Sequence, residues 1–207
     1  MIRIENTDVY GWDAAIHSMR NPKNSWAKSD TQFAPELRIG ENDLKLMKSL
    51  VKAGSDHRKF LRFITVTCDI VAPLYWIAEH DTYKVSTVRN SCSKMHKLMA
   101  KPFELDDFSF NKCTAEALEC AISIVDELNN LREKWLNEKS NEDRKKLLWY
   151  SVLQLLPDSY NQRYTWQANY EVLCNQYHAR KNHKLDEWHE YCHWIETLPY
   201  AKELICE

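Results

Sequence analysis

The sequence predicts an α+β fold, a mostly helical single domain over residues 1–207 with a small sheet. Three observations carry that reading. Apolar residues recur at helical spacing along the segment 115–138, with further helical stretches after it. The segment Phe63 to Val71 is β-branched and broadly alternating, which suits a strand. No repeat, low-complexity tract or linker divides the chain. A domain of 207 residues buries roughly 70% of the surface its unfolded chain exposes, so it needs no disulfide or metal staple.

Met1 to Ile4 alternates and reads as a short strand, and 12–19 as a short helix before the polar loop 20–36. Asn42 or Asp43 can cap a helix over 43–53, with Leu44, Met47, Leu50 and Val51 on one face and Gly54 just past its end. The strand 63–71 follows, and Pro73 suits the first position of a helix over 73–80, where its missing N–H matters least. Thr114 caps the helix 115–138, which aligns Leu118, Ala121, Ile122, Val125, Leu128 and Leu131. A charged turn, 139–144, leads to a helix over 145–155 ended by Pro157, and helices follow over 161–180 and 184–197 before Pro199.

Composition excludes several functions. The chain has three glycines, Gly11, Gly40 and Gly54, none close to another, whereas phosphate-binding loops need clustered glycines. A net charge of −2 gives no global basic field, so nucleic acid is not an expected partner. Seven cysteines without a C-x-x-C pair read as free, mostly buried thiols of a reducing cytoplasm. The N-terminus lacks the apolar stretch of a signal peptide, and the longest apolar run, 63–78, is interrupted by Asp69 and Pro73 and is too short for a membrane span. A cytoplasmic protein is expected.

Four groups of residues could carry chemistry. His189-Glu190-Tyr191-Cys192-His193 matches H-E-x-x-H, but a zinc needs a third ligand, and only Glu196, Glu203 and Glu207 remain downstream; no metal is expected. On a helix over 161–180, Gln162, Asn169 and Gln176 recur every seven residues and Arg180 closes the row. Such an amide stripe suits the edge of a heterocycle, and the Arg a pyrimidine carbonyl or a phosphate; the same pattern also fits an internal helix bonded to other backbone. Asn90-Ser91-Cys92-Ser93-Lys94 reads as a capped turn, its Cys92 an inert buried thiol rather than a nucleophile paired with His96. Asp56-His57-Arg58 with Arg62 reads as a solvated face.

In their order along the chain these segments resemble the flavin-dependent thymidylate synthase family. Leu156-Pro157, Tyr164 to Asn169, Leu173, Asn175 and Arg180 resemble without a gap the family's Leu-Pro, aromatic, Asn, Leu, Asn, Arg pattern. Lys52-Ala53-Gly54 through Arg62 is similar to the segment before its central strand, Phe63 to Pro73 to that strand, Asn90 to Ser93 to its Asn-x-x-Ser, and Ala15 to Arg20 to its early helix.

The resemblance implies a small central antiparallel sheet and a homotetramer with active sites between subunits. It implies FAD as cofactor, with NADPH and methylene-tetrahydrofolate as co-substrates, for methylation of the small-molecule nucleotide dUMP. Carried over, Arg180 is catalytic and holds the pyrimidine; Asn169, Asn175, Lys84 and Arg62 lie on the cofactor side; Ser93, Lys94 and Asn90 lie on the nucleotide side. The chain departs from the family where Arg-His-Arg becomes Thr82-Tyr83-Lys84, where Arg-Tyr becomes Met95-His96, and where Arg62 and Leu153 replace a His and an Arg. Lys84, Arg89 and Lys94 offer partial replacement of the lost charge. The alternative these departures suggest is an inactive member serving as a nucleotide-binding or protein-interaction module.

Overall fold

The computed structural model describes residues 2–207; Met1, the first residue of the expected strand, lies outside them. Four strands, β1 (Arg3–Tyr10), β2 (Thr65–Pro73), β3 (Val88–Ser91) and β4 (Asn161–Asn169), form one sheet in the order β1-β2-β4-β3. β2 and β4 run antiparallel: Tyr170 N–H bonds Ile64 C=O at 3.0 Å at one end, and Leu74 N–H bonds Tyr160 C=O at 3.1 Å at the other. β2 alternates as the sequence predicts, burying Val66, Cys68, Ile70 and Ala72. Its other face is polar; Asp69 accepts from Thr165 Oγ1 at 2.6 Å and from Asn6 Nδ2 at 2.9 Å.

Contacts group the chain into two compact units. The first comprises the chain up to Arg3, Val71–Thr82 and Asn90–Tyr164. Its helices are α3 (Leu74–His80), the short α4 (Lys94–Lys97), α5 (Ala115–Asn137) and α6 (Glu142–Leu155). α5 and α6 pack together over a core of Leu98, Met99, Phe103, Phe108, Val125, Leu128 and Val152. Both helices start at the caps their sequences provide, Thr114 Oγ1 accepting from Ala117 N–H and Asn141 Oδ1 from Arg144 N–H. Pro73 is a correction: it closes β2 and lies one residue outside α3. The N–H groups of Leu74 and Tyr75 bond Tyr160 and Asp158, which satisfies the first donors of the helix from β4's approach.

The second unit comprises Ile4–Ile70, Tyr83–Arg89 and Thr165–Glu207. It holds α1 (Trp12–Arg20), α2 (Glu41–Lys52), a short turn at Lys59–Arg62, α7 (Tyr170–Arg180), α8 (Asp186–Thr197) and a C-terminal turn over Lys202–Cys206. α7 lies at its centre, touching α8, the Lys59–Arg62 turn and the C-terminal turn, with Tyr170, Leu173, Trp188, Tyr191, Ile195 and Leu204 buried around it.

Two expectations are corrected here. α2 starts at Glu41, and neither Asn42 nor Asp43 caps it; the Asp30 carboxylate takes the Asn42 and Asp43 N–H groups at 2.9 and 3.1 Å. The predicted helix over 161–180 is a strand and a helix joined at Asn169. Within 161–169 burial alternates, with Gln162, Tyr164, Trp166 and Ala168 inside and Arg163, Thr165 and Gln167 outside; period two has won over the weaker helical spacing.

Candidate functional site

The amide row that a continuous helix would have built does not exist, and its members do separate work. Gln162 is on β4 and donates to Cys92 C=O at 2.9 Å. Asn169 ends that strand and caps α7, its Oδ1 accepting from Val172 N–H at 3.0 Å. Gln176 is fully buried and accepts from Tyr191 Oη at 2.7 Å. Asn175 and Arg180 lie about 140° apart around α7, so they look to different sides.

On one side, Arg58 reaches α7. Its guanidinium bonds both Glu171 carboxylate oxygens, at 2.9 and 3.3 Å, with Asn175 Oδ1 at 3.1 Å and Cys174 Sγ at 3.2 Å. The segment read as a solvated face is therefore divided: Asp56, His57 and Arg62 are exposed, and Arg58 is turned inward. A cavity of about 650 Å³ opens beside it, lined by Arg58, Lys48, Lys52, Cys174 and His178 among others.

On the other side, Arg180 ends α7 in an aromatic box. Its Nε donates to Tyr83 Oη at 2.9 Å, and its guanidinium carbon lies 4.7 Å from the Trp188 ring centroid and 5.6 Å from that of Tyr83. Lys84, next to Tyr83, is exposed. Sequence reasoning noticed Tyr83 only as a departure and did not notice Trp188; the two rings are the missed residues of this region. Their signal is faint, because the box joins Arg180 and Trp188, on successive helices, to Tyr83, which is distant in sequence.

A cleft of about 1320 Å³ in this unit lies between the end of α1 and its following turns, α2, and the stretch 56–63. Met19, Leu46, Leu50, Phe60 and Phe63 give it an apolar wall, and Lys23, Lys28, His57 and Lys59 stand around it against one acid, Asp56. Arg20 also lines it, with its charge committed to Asp43 at 2.6 Å. A flat-ringed anion suits such a lining. The floor is set from below: Asp43 is fully buried and accepts from Ser29 Oγ, Thr31 Oγ1, and the Asp30 and Thr31 N–H groups, which clips the loop after α1 onto α2. Burial alone would raise the Asp43 pKa; the hydrogen bonds from Ser29, Thr31, Arg20 and Asp30 outweigh it and hold the carboxyl below its ordinary value.

The residues implied on the nucleotide side belong to the first unit. Asn90 is exposed on β3, Cys92 N–H bonds Arg163 C=O at 2.9 Å, and Ser93 and Lys94 open α4, with Ser93 C=O accepting from Lys97 N–H. Cys92 is exposed, as are Cys113 and Cys120, which corrects the expectation of mostly buried thiols; Cys68, Cys174 and Cys192 are the buried ones. Burial pushes the Cys68 thiol up to about 12, with help from the neighbouring Asp69 charge. In α8, the H-E-x-x-H imidazoles each face an acid of their own helix, His189 toward Asp186 at 3.6 Å and His193 toward Glu196 at 3.1 Å. Among the described residues, no three His, Cys, Asp or Glu side chains group as a metal site.

No protein-family model matches the chain, and no curated protein matches it. Solved structures do. ThyX from Helicobacter pylori, a flavin-dependent thymidylate synthase complexed with FAD and dUMP, superposes with a TM-score of 0.70 at 18% identity, covering 98% of this chain and 97% of that one. A second structure of thymidylate synthase X from Helicobacter pylori, with FAD and dUMP, gives 0.69 at 19% identity, covering 99% and 97%. The fold is that of the flavin-dependent thymidylate synthases. In that ThyX fold, the Asn169 cap, the Arg180 box and the clefts of the second unit are what this chain builds with its own residues.

Proposed function

We propose that this chain is a flavin-dependent enzyme acting on a pyrimidine nucleotide, most simply the reductive methylation of dUMP to dTMP, with methylene-tetrahydrofolate and NADPH as co-substrates. One observation carries the reading: the fold matches, over 98% of the chain, a protein complexed with FAD and dUMP. The 1320 Å³ cleft is roomy enough for a dinucleotide, and Asn169, Asn175, Lys84 and Arg62 are not among the residues that line it. Its three lysines suit a diphosphate and its two phenylalanines a ring system. When bound, FAD would supply the hydride transfer.

In this reading the chain's own side chains bind and orient. Asn169 offers the half of its amide that the helix cap does not use, Asn175 presents an amide fixed by Arg58, and Lys84 and Arg62 add exposed charge on the cofactor side. Asn90, Ser93 and Lys94 serve the nucleotide's phosphate. Arg180 holds the pyrimidine and stabilises the negative charge that develops on its oxygen. Residues 1–207 are then one synthase-like domain, working in the cytoplasm as a homotetramer; the exposed rings of Tyr10, Trp26, Phe33, Phe63 and Tyr150 support self-association.

Complementation of a thymidine auxotroph tests the activity. Rescue is expected from the unmodified chain, and Arg180→Ala is expected to lower turnover of the purified enzyme about 10²–10³-fold while the circular dichroism spectrum stays the same. Folded protein that never rescues, or full turnover in Arg180→Ala, would overturn the proposal.

A further inference from the structure

We propose that Arg58 is a positioning residue: by holding the oxygen of the Asn175 amide it turns the NH2 group outward, so that this side of α7 presents a donor and meets a carbonyl or ring nitrogen of the bound flavin. The inference rests on the flavin reading above. Arg58 is fixed at its own backbone, where its N–H bonds Gly54 C=O at 3.1 Å and its C=O accepts from Leu61 N–H at 3.0 Å. From there the guanidinium crosses to three residues of α7. Nε donates to Glu171 Oε2 at 2.9 Å, and Nη1 to Cys174 Sγ at 3.2 Å. Nη2 donates twice, to Glu171 Oε1 at 3.3 Å and to Asn175 Oδ1 at 3.1 Å. Glu171 and Asn175 stand four residues apart on one face of α7, so a single planar fork reaches both.

An amide has an accepting end and a donating end, whereas a guanidinium only donates. The oxygen of Asn175 must therefore face Arg58, and Nδ2 is the group left over. Among the described residues Nδ2 has no hydrogen-bond partner, and Asn175 is exposed, so this donor is open to a ligand. An unrestrained asparagine turns either end outward. Arg58 removes that freedom: both hydrogens of Nη2 are in use, and a reversed amide would set donor against donor. Charge is not what Arg58 contributes, because its two-pronged pair with Glu171, whose side chain is 11% exposed, offsets it locally. What reaches the ligand is the direction of a neutral amide.

The test is titration of the full chain with FAD, followed by the affinity and by the position of the bound flavin's visible bands. The chains compared are the unmodified protein, Arg58→Lys, Asn175→Ala, Asn175→Asp and the double variant of Arg58→Lys with Asn175→Ala. Lysine keeps a charge for Glu171 but lacks the fork. Arg58→Lys and Asn175→Ala are each expected to weaken FAD about 10-fold and to move the bands to the same place. The double variant is expected to lose no more than Asn175→Ala alone, because Arg58 acts through that amide. Asn175→Asp keeps an oxygen for Arg58 and removes the donor, so it is expected to fold normally and still weaken FAD about 10-fold or more. Additive losses in the double variant, or Asn175→Asp binding FAD as tightly as the unmodified chain, would overturn the positioning role and leave the functional reading standing. An unmodified chain that binds no FAD would overturn both.

Discussion

Asp43 takes no part in the proposed chemistry, yet it decides whether the 1320 Å³ cleft has a wall. A carboxylate out of water is unfavourable unless every lone pair is used. Here Arg20 binds it through Nε at 2.7 Å, while Ser29, Asp30 and Thr31 supply the rest from the loop after α1. Asp43→Asn removes the counter-charge of an Arg that is 4% exposed. Breaking such a pair is expected to destabilise the chain by about 3–5 kcal/mol, read from urea denaturation at pH 7. Because the folded-state pKa lies below the unfolded value near 3.9, this stabilisation is complete above that value and is lost as the pH falls through the folded one. The gap between the unmodified chain and Asp43→Asn is therefore expected to be constant from pH 6 to 8 and to shrink only in strong acid. A gap that already closes near neutral pH would contradict this account. Sequence reading assigned Asp43 a local capping role because short windows show local partners; Arg20 and Ser29 are brought to it by the path of the intervening loop.

At the scale of elements, the chain's turns are legible where the deciding group is local. Thr114 caps its helix as read, accepting from an N–H three residues on, whereas α6 starts at Glu142 with Asn141 as its cap, inside the stretch read as a charged turn. Gly54 follows α2 at φ +99°, as a helix-ending glycine should. The junction at Asn169 was not legible, because aromatic and polar residues in 161–169 satisfy a helical template while their alternation satisfies a strand better.

Two glycines separate backbone strain from collision. Around Gly54 there is open space, so Gly54→Ala meets only the left-handed backbone and is expected to cost about 1–2 kcal/mol. Gly11, at φ +87°, would also drive a Cβ into the Phe63 carbonyl, so Gly11→Ala is expected to cost about 3 kcal/mol. Urea midpoints give the order directly, and equal losses at the two positions would mean that the Gly11–Phe63 approach is unimportant.

For the molecule as a whole, the fold is shared with a solved structure at only 18% identity. Burial alternation in β2 and the long amphipathic α5 are legible in this chain without an alignment. The candidate site is less so. Asn169 and Arg180 were noticed as residues, but what they touch depends on Val172, Tyr83 and Trp188, and no periodicity reports a partner brought by the fold. Of the lysines of the large cleft, Lys23 and Lys28 sit in the polar loop after α1 and Lys59 in the separate Lys59–Arg62 turn, and both stretches look like solvated turns in sequence.

No described helix is long and apolar enough to cross a membrane, and the decisive experiment needs only the purified chain and two added ligands. That experiment is a visible absorption spectrum of the natively purified protein, repeated with added FAD and then with dUMP. Retained or titratable flavin is expected, with bands that sharpen on addition of dUMP. Protein that stays colourless at high FAD, with its fold intact, would contradict the central claim and leave a thymidylate synthase fold without its chemistry.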